Sequence, residues 1–192
     1  MRVAEGKRET TETQVSVKLN LDGTGESRIR TGLKYLDHLL ASFSKHSLID
    51  LEVTAKGDLT HHVVEDVAIV LGEALDEAMG DKAGIYRFGY SFVAMDDSLS
   101  RVVLDCSGRG YAVIDIRLRR SRVEDLPRED AIHFLQTLSQ KAKINLHVAT
   151  LYGDNDHHKL ESVFKATAVA LRTAVSFDPR RGNQKPSSKG AL

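Results

Sequence analysis

The sequence predicts an α+β fold made of two repeated βαβα-type halves, with sheets packed on helices. Three observations predict it. The pattern Gly-Asp-x-x-His-His-x-x-Glu occurs at 57–65 and again at 153–161, 96 residues apart (157 − 61). An isolated histidine precedes each copy, His38 and His133, at nearly the same offset (133 − 38 = 95). Apolar periodicity also runs through the same order in each half: alternating, helical, alternating, helical.

The elements follow in chain order. Val15, Val17 and Leu19 alternate, which predicts a half-buried strand over 11–20. Asp22-Gly23-Thr24-Gly25 turns the chain, and 26–31 is expected to return as its partner. Tyr35, Leu36, Leu39, Leu40 and Phe43 recur at helical spacing, so a helix covers 34–46 and carries His38. Leu51, Val53 and Ala55 make a short strand that Gly57-Asp58 ends. A helix follows with Val64, Val67, Leu71, Ala74, Leu75 and Ala78 as its core stripe, and Gly80 closes it. In the second half 87–95, 99–105 and 111–118 read as strands and 119–128 as a polar loop. Ile132, Leu135, Leu138 and Ala142 then mark a helix carrying His133, 144–151 a strand, and 157–177 the second motif helix. The halves are placed at 1–92 and 93–178, followed by a basic tail at 179–192. By pattern the tail is either a frayed terminus or an arm that orders on an anion through Ser187, Ser188 and Lys189.

Composition narrows the function classes. Lys plus Arg equals Asp plus Glu at 27 each, so global charge offers no footprint for nucleic acid or a membrane surface. The single cysteine, Cys106, excludes an internal disulfide and a cysteine-rich zinc site. The chain starts without an apolar signal core and has no run near the roughly 18 apolar residues of a membrane span. A cytoplasmic protein is expected.

The repeated histidines carry the chemistry. Thr60 and Asp156 are expected N-caps, which puts both His pairs in the first turn of a helix. Residues four apart share a helix face, so His61 with Glu65 and His157 with Glu161 can share a ligand; His62 with Glu65 and His158 with Glu161 are the alternatives. Adjacent histidines point about 100° apart at about 3.6 residues per turn, so one pair serves two centres. A helix N-terminus disfavours imidazolium and leaves the neutral, metal-binding ring. Six histidines and two glutamates thus divide into two centres of three His and one Glu each. All donors are nitrogen or oxygen, which suits manganese, iron, cobalt, nickel or zinc. The order is neither the His-Glu-x-x-His of zinc proteases nor the Glu-x-x-His of di-iron bundles. Elsewhere the signals are thinner. Arg87 and Arg109 are surface residues or phosphate partners. Asp96-Asp97 is a turn, a cap or an acid–base pair. Glu12 carries no signal from pattern, and His46 and His147 read as helix-end and sheet residues.

Together these motifs resemble one family closely, imidazoleglycerol-phosphate dehydratase. They include Arg8-x-Thr10-x-Glu12-Thr13, Leu36-Asp37-His38, His61-His62-x-x-Glu65-Asp66, Arg87-Phe88, Asp105-Cys106-Ser107-Gly108-Arg109, His157-His158-x-x-Glu161 and Pro186-Ser187-Ser188-Lys189-Gly190. The resemblance implies a ribosomal protein S5 domain 2-like fold and loss of water from imidazole glycerol phosphate. It implies two manganese ions per active site, with ligands shared between neighbouring subunits of a homo-oligomer of 24 chains assembled from trimers. The implied metal ligands are His38, His61, His62, Glu65, His133, His157, His158 and Glu161. Glu12, Arg87, Arg109, Lys165, Ser187, Ser188 and Lys189 match substrate-contacting positions; Glu12, Glu65 and Glu161 are the expected catalytic residues, with Glu12 as the proton-transfer group. The chain departs from the family in a shorter segment before His61 and in Ala94-Met95-Asp96-Asp97, where relatives carry Pro-Met-Asp-Glu.

Overall fold

The structure, a computed structural model, describes residues 1–190 and Leu192. The first half runs β1 (Val3–Glu9), β2 (Thr13–Asn20), β3 (Ser27–Arg30), α1 (Lys34–Ser47), β4 (Asp50–Gly57) and α2 (Thr60–Met79). The second runs β5 (Phe88–Met95), β6 (Ser98–Asp105), β7 (Tyr111–Asp115), a small β8 (Arg122–Val123) and β9 (Leu126–Pro127) hairpin, α3 (Arg128–Lys141), β10 (Asn145–Tyr152) and α4 (Asp156–Val175). The sheets have one topology, β1-β2-β4-β3 and β5-β6-β10-β7. In each, the third strand pairs parallel with the strand that follows the first helix. Segment 26–31 therefore does not return onto β2 as expected. The intervening helix α1 carries the chain across to give β3 a parallel partner, β4.

Each sheet buries one face under its own half's long helix, α2 on β1, β2 and β4, and α4 on β5, β6 and β10. The halves then meet helix to helix, α1 on α4 and α2 on α3. Helices fill the middle and both sheets turn their second face outward. Val15, Val17 and Leu19 on β2 match Ser100, Val102 and Leu104 on β6 at an offset of 85 (104 − 19), all inward and buried. β5 runs so close to α4 that a Cβ at Gly89 would collide with the Ala170 carbonyl oxygen.

A bulge accounts for the one-residue mismatch between the repeats. β4 pairs with β2 without interruption from Asp50 to Gly57, whereas β10 skips Leu151 in its pairing with β6. The extra residue lies between the isolated histidine and the His pair, so the offset grows from 95 to 96 there.

Other expectations need correction. β1 carried no sequence signal strong enough to read, because its outward residues are charged and Gly6 interrupts it. The 92/93 division falls inside β5, all of which pairs with β6. β7 ends at Asp115 because Arg117 turns with φ 56. Thr60 is the first residue of α2, and Leu59 at its N-cap position makes no side-chain cap. At α4 the cap is Asn155, whose side chain accepts from the His157 N–H. Among the described residues no helix is long and apolar enough to cross a membrane.

Candidate functional site

The crossed helix packing brings the repeated histidines together across the halves. His38 on α1 meets His157 and Glu161 on α4, and His133 on α3 meets His61 and Glu65 on α2; within each trio one ligand atom per residue lies within 4.8 Å of the others. Neither half completes a cluster alone. His38 Nε2 and His157 Nε2 stand 3.4 and 3.3 Å from Glu161 Oε2, and His133 Nε2 is 3.2 Å from Glu65 Oε1. The i, i+4 pairs are used, not the i, i+3 alternatives. Each cluster within the chain holds two His and one Glu, not three His and one Glu. His62 and His158 turn away, as adjacent helical positions require.

The two glutamates differ in setting. Glu161 is buried, and its other oxygen, Oε1, accepts from Lys165 Nζ at 2.7 Å. Burial pushes its carboxyl up, but Lys165 and His38 outweigh burial and hold it below its usual value. Tyr35 lies against both His38 and His157 and donates to the His157 carbonyl. Burial, with Glu161 and Glu124 nearby, drives its phenol well above the usual range. Glu65 is more open, and the His61 and His133 rings stack at 5.2 Å.

The donor chemistry fits a divalent cation. Four rings turn Nδ1 onto a carboxylate: His61 on Asp130 and His62 on Asp58 at 2.7 Å, His157 on Glu124 at 3.3 Å, and His158 on Asp97 at 2.5 Å. A carboxylate only accepts, so a neutral ring in this setting carries its proton on Nδ1 and offers Nε2 as the ligand atom. Pattern reading missed Asp58, Asp130 and Glu124. The repeat contained a signal for the first, since Asp58 belongs to the Gly-Asp of the motif.

The anion-binding candidates form a second neighbourhood. Arg87 grips Asp105 with two nitrogens, at 2.7 and 3.1 Å, and donates to the Pro186 carbonyl at 2.8 Å. Its own carbonyl accepts from the Cys106 N–H, and a Cβ added at Gly108, beside Arg109, would run into the Leu192 backbone. Ser187 accepts from the Lys189 N–H, in a turn on that surface, with Ser188 exposed between them. The tail is thus docked next to Arg87 and Arg109. Lys165 is not among these groups; it joins Glu161 and touches the Met95 sulfur at 3.5 Å. Glu12 lies in the β1–β2 turn, exposed, with Oε2 3.7 Å from His62 Nδ1. Cys106 is buried, its thiol pushed up to about 12 by burial, and is inert.

Comparison with known proteins identifies the family. The family model described as imidazoleglycerol-phosphate dehydratase matches residues 31–171. Curated proteins of that name are similar over the whole chain. One from Dehalococcoides mccartyi (strain CBDB1) is 50% identical over 191 residues, covering 100% of this chain and 97% of its own. One from Zymomonas mobilis is 47% identical over 194 residues, covering 100% and 99%. The solved imidazoleglycerol-phosphate dehydratase structure from Staphylococcus aureus superposes with a TM-score of 0.84 at 34% identity, covering 92% of this chain and 99% of that one. The structure from Pyrococcus furiosus gives 0.85 at 34% identity, covering 97% and 99%. The chain belongs to the imidazoleglycerol-phosphate dehydratase family.

Proposed function

We propose that the chain removes water from D-erythro-imidazole glycerol 3-phosphate to give imidazole acetol phosphate, a step of histidine biosynthesis, at a dinuclear metal site. The observation that carries the reading is the crossing of the two clusters: each joins an isolated histidine of one half to a His-x-x-x-Glu of the other. Three ligands per cluster leave coordination positions open, as catalytic sites require and closed structural sites do not. His62 and His158, aimed out of their own clusters, are suited to complete those of a neighbouring copy. Manganese is the metal we assign, two ions per active site; bound there, it supplies Lewis acidity and a template for the imidazole ring of the substrate.

The chain's own groups account for the rest. The reaction breaks one C–H and one C–OH bond and delivers water, leaving an enol that becomes the ketone. Glu12 is exposed in the turn beside His62 and is the group we assign to proton transfer. Arg87, Arg109, Ser187, Ser188 and Lys189 hold the phosphate through charge-assisted hydrogen bonds, roughly twice as strong as neutral ones. Lys165, which pairs with Glu161, is the group we assign to substrate contact beside the His38–His157–Glu161 cluster. Fixing the remote phosphate orients the reacting carbons.

We assign a homo-oligomer of 24 chains built from trimers. The outward face of the second sheet supports assembly. Tyr90, Tyr111 and Phe92 are 71%, 62% and 59% exposed there, beside Val103 and Val113. A contiguous apolar face of this kind marks an interaction surface. The experiment is turnover of imidazole glycerol phosphate by purified protein with manganese and after exhaustive chelation. Ketone formation that disappears on chelation and returns with manganese is expected; full turnover by metal-free protein would overturn the reading.

A further inference from the structure

The turn between β5 and β6 occupies the position of the turn between β1 and β2, and Asp97 stands where Glu12 does (97 − 12 = 85, the same offset as β6 from β2). The two carboxylates have different surroundings. Asp97 Oδ2 accepts the backbone N–H groups of Asp154 and Asn155, at 2.5 and 2.9 Å, while Oδ1 faces His158 Nδ1 at 2.5 Å. One carboxylate therefore ties down the start of α4 and the ring of its third residue. Asp96 Oδ2 lies 3.4 Å from the other nitrogen, Nε2, farther than a normal hydrogen bond of about 2.7–3.2 Å.

In the first half the ring is held differently. His62 Nδ1 is bonded to Asp58, one helical turn earlier, at 2.7 Å, and Glu12 stays 3.7 Å away. The residue matching Asp58 is Asp154 (154 − 58 = 96), which pairs with Arg119 at 3.2 Å. A single exchange of partners thus makes one turn carboxylate a fixed strut and leaves the other loose.

We propose that Asp97 is a positioning residue for the dehydration: it holds His158 in the tautomer protonated at Nδ1 and aims Nε2 at a cation. Asp58 does the same for His62, and this division frees Glu12. The inference rests on the reading of His158 as a metal ligand.

Asp97→Asn tests it in the full chain. The Asn oxygen can keep the two backbone N–H groups, but its amide then donates to His158 Nδ1, which moves the ring proton to Nε2 and removes the ligand lone pair. Manganese binding, followed by electron paramagnetic resonance against a competing chelator, should weaken about 10–100-fold, the usual loss for a residue that orients a ligand. Saturating manganese should restore much of the lost kcat, and Asp97→Glu should bind within a few-fold of the unaltered protein. In a His158→Ala background Asp97→Asn should add less than about twofold, since its effect runs through that ring. Should Asp97→Asn prevent folding, Asp97→Ser, which caps the helix start without orienting the ring, carries the same expectation. Unaltered affinity in Asp97→Asn, or an equal loss in the His158→Ala background, overturns the proposal. Unaltered manganese affinity in His158→Ala alone overturns instead the assignment of that histidine as a ligand.

Discussion

Two rows of side chains at matching register show how far the halves have diverged. Across the outward face of the first sheet run Glu5, Lys18, Glu52 and Arg28, each paired with the next in the ladder. The same positions in the second sheet hold Tyr90, Val103, His147 and Val113. The first row alternates charge and closes on itself, with Lys18 Nζ 3.0 Å from Glu5, an arrangement content with water. The second, His147 apart, presents tyrosine and valine side chains that water solvates poorly and that a partner would cover. One strand order thus serves two environments, and in these rows the difference lies in outward side chains, which point away from the helix beneath each sheet.

Transplanting the first row onto the second should produce the largest effect. Tyr90→Glu with Val103→Lys should leave the circular dichroism of the fold intact but shift the mass in analytical ultracentrifugation to small species. Loss of turnover should accompany it, if clusters are completed between copies. An unchanged mass would mean that this face is not the contact. Reversing the first row, Glu5→Lys, should change neither mass nor turnover.

The helix starts offer a smaller contrast. α2 begins with Thr60 and buried Val63, whereas α4 has Asp156 and Lys159 at those positions, a buried ion pair at 2.9 Å. Asp156 also accepts from the Arg119 and Arg120 N–H groups, so it anchors the preceding loop. Breaking a buried pair leaves an uncompensated charge, so Asp156→Thr should cost about 3–5 kcal/mol in denaturant unfolding. Adding Lys159→Val should recover at least half of that. A double variant no more stable than the single one would show that the loop anchor, not the charge, carries the cost.

The helix ends differ least. Near the end of α2, Asp76 pairs with Lys82 at 2.9 Å and Lys143 at 2.6 Å, while α4 has Arg172 at the matching position (172 − 76 = 96). Burial raises the Asp76 carboxyl, but Lys143 and Lys82 outweigh it and hold it below its usual value. A depressed folded pKa stabilises above the unfolded value, near about 3.9, and that stabilisation is lost as pH falls through the folded one. Asp76→Asn should therefore cost about 1 kcal/mol at pH 7, and the gap should close below pH 4. A gap independent of pH would assign the loss to packing.

Much of this was legible in the sequence because repetition doubles a weak signal. The α1, α2, α3 and α4 stripes and the inward residues of β2 and β4 follow helical and alternating periods, so burial on one face writes them plainly. The two His pairs were legible for the same reason. What escaped depended on contacts distant in sequence. His38 joins Glu161 and His133 joins Glu65 through helix packing that no local spacing encodes. Asp130 and Asp97 reach their rings from other elements, and Asn155 displaces Asp156 as the cap because Asp156 is engaged by Lys159. The parallel β3–β4 pairing was hidden behind a turn that reads like a hairpin.

The most direct test of the crossed clusters is the number of manganese ions bound per chain, measured by elemental analysis of protein equilibrated at a fixed free-metal concentration. Two ions per chain are expected, about one of them lost in Glu65→Gln and about one in Glu161→Gln, with turnover abolished in both. Full metal content and full activity in either variant would contradict the account.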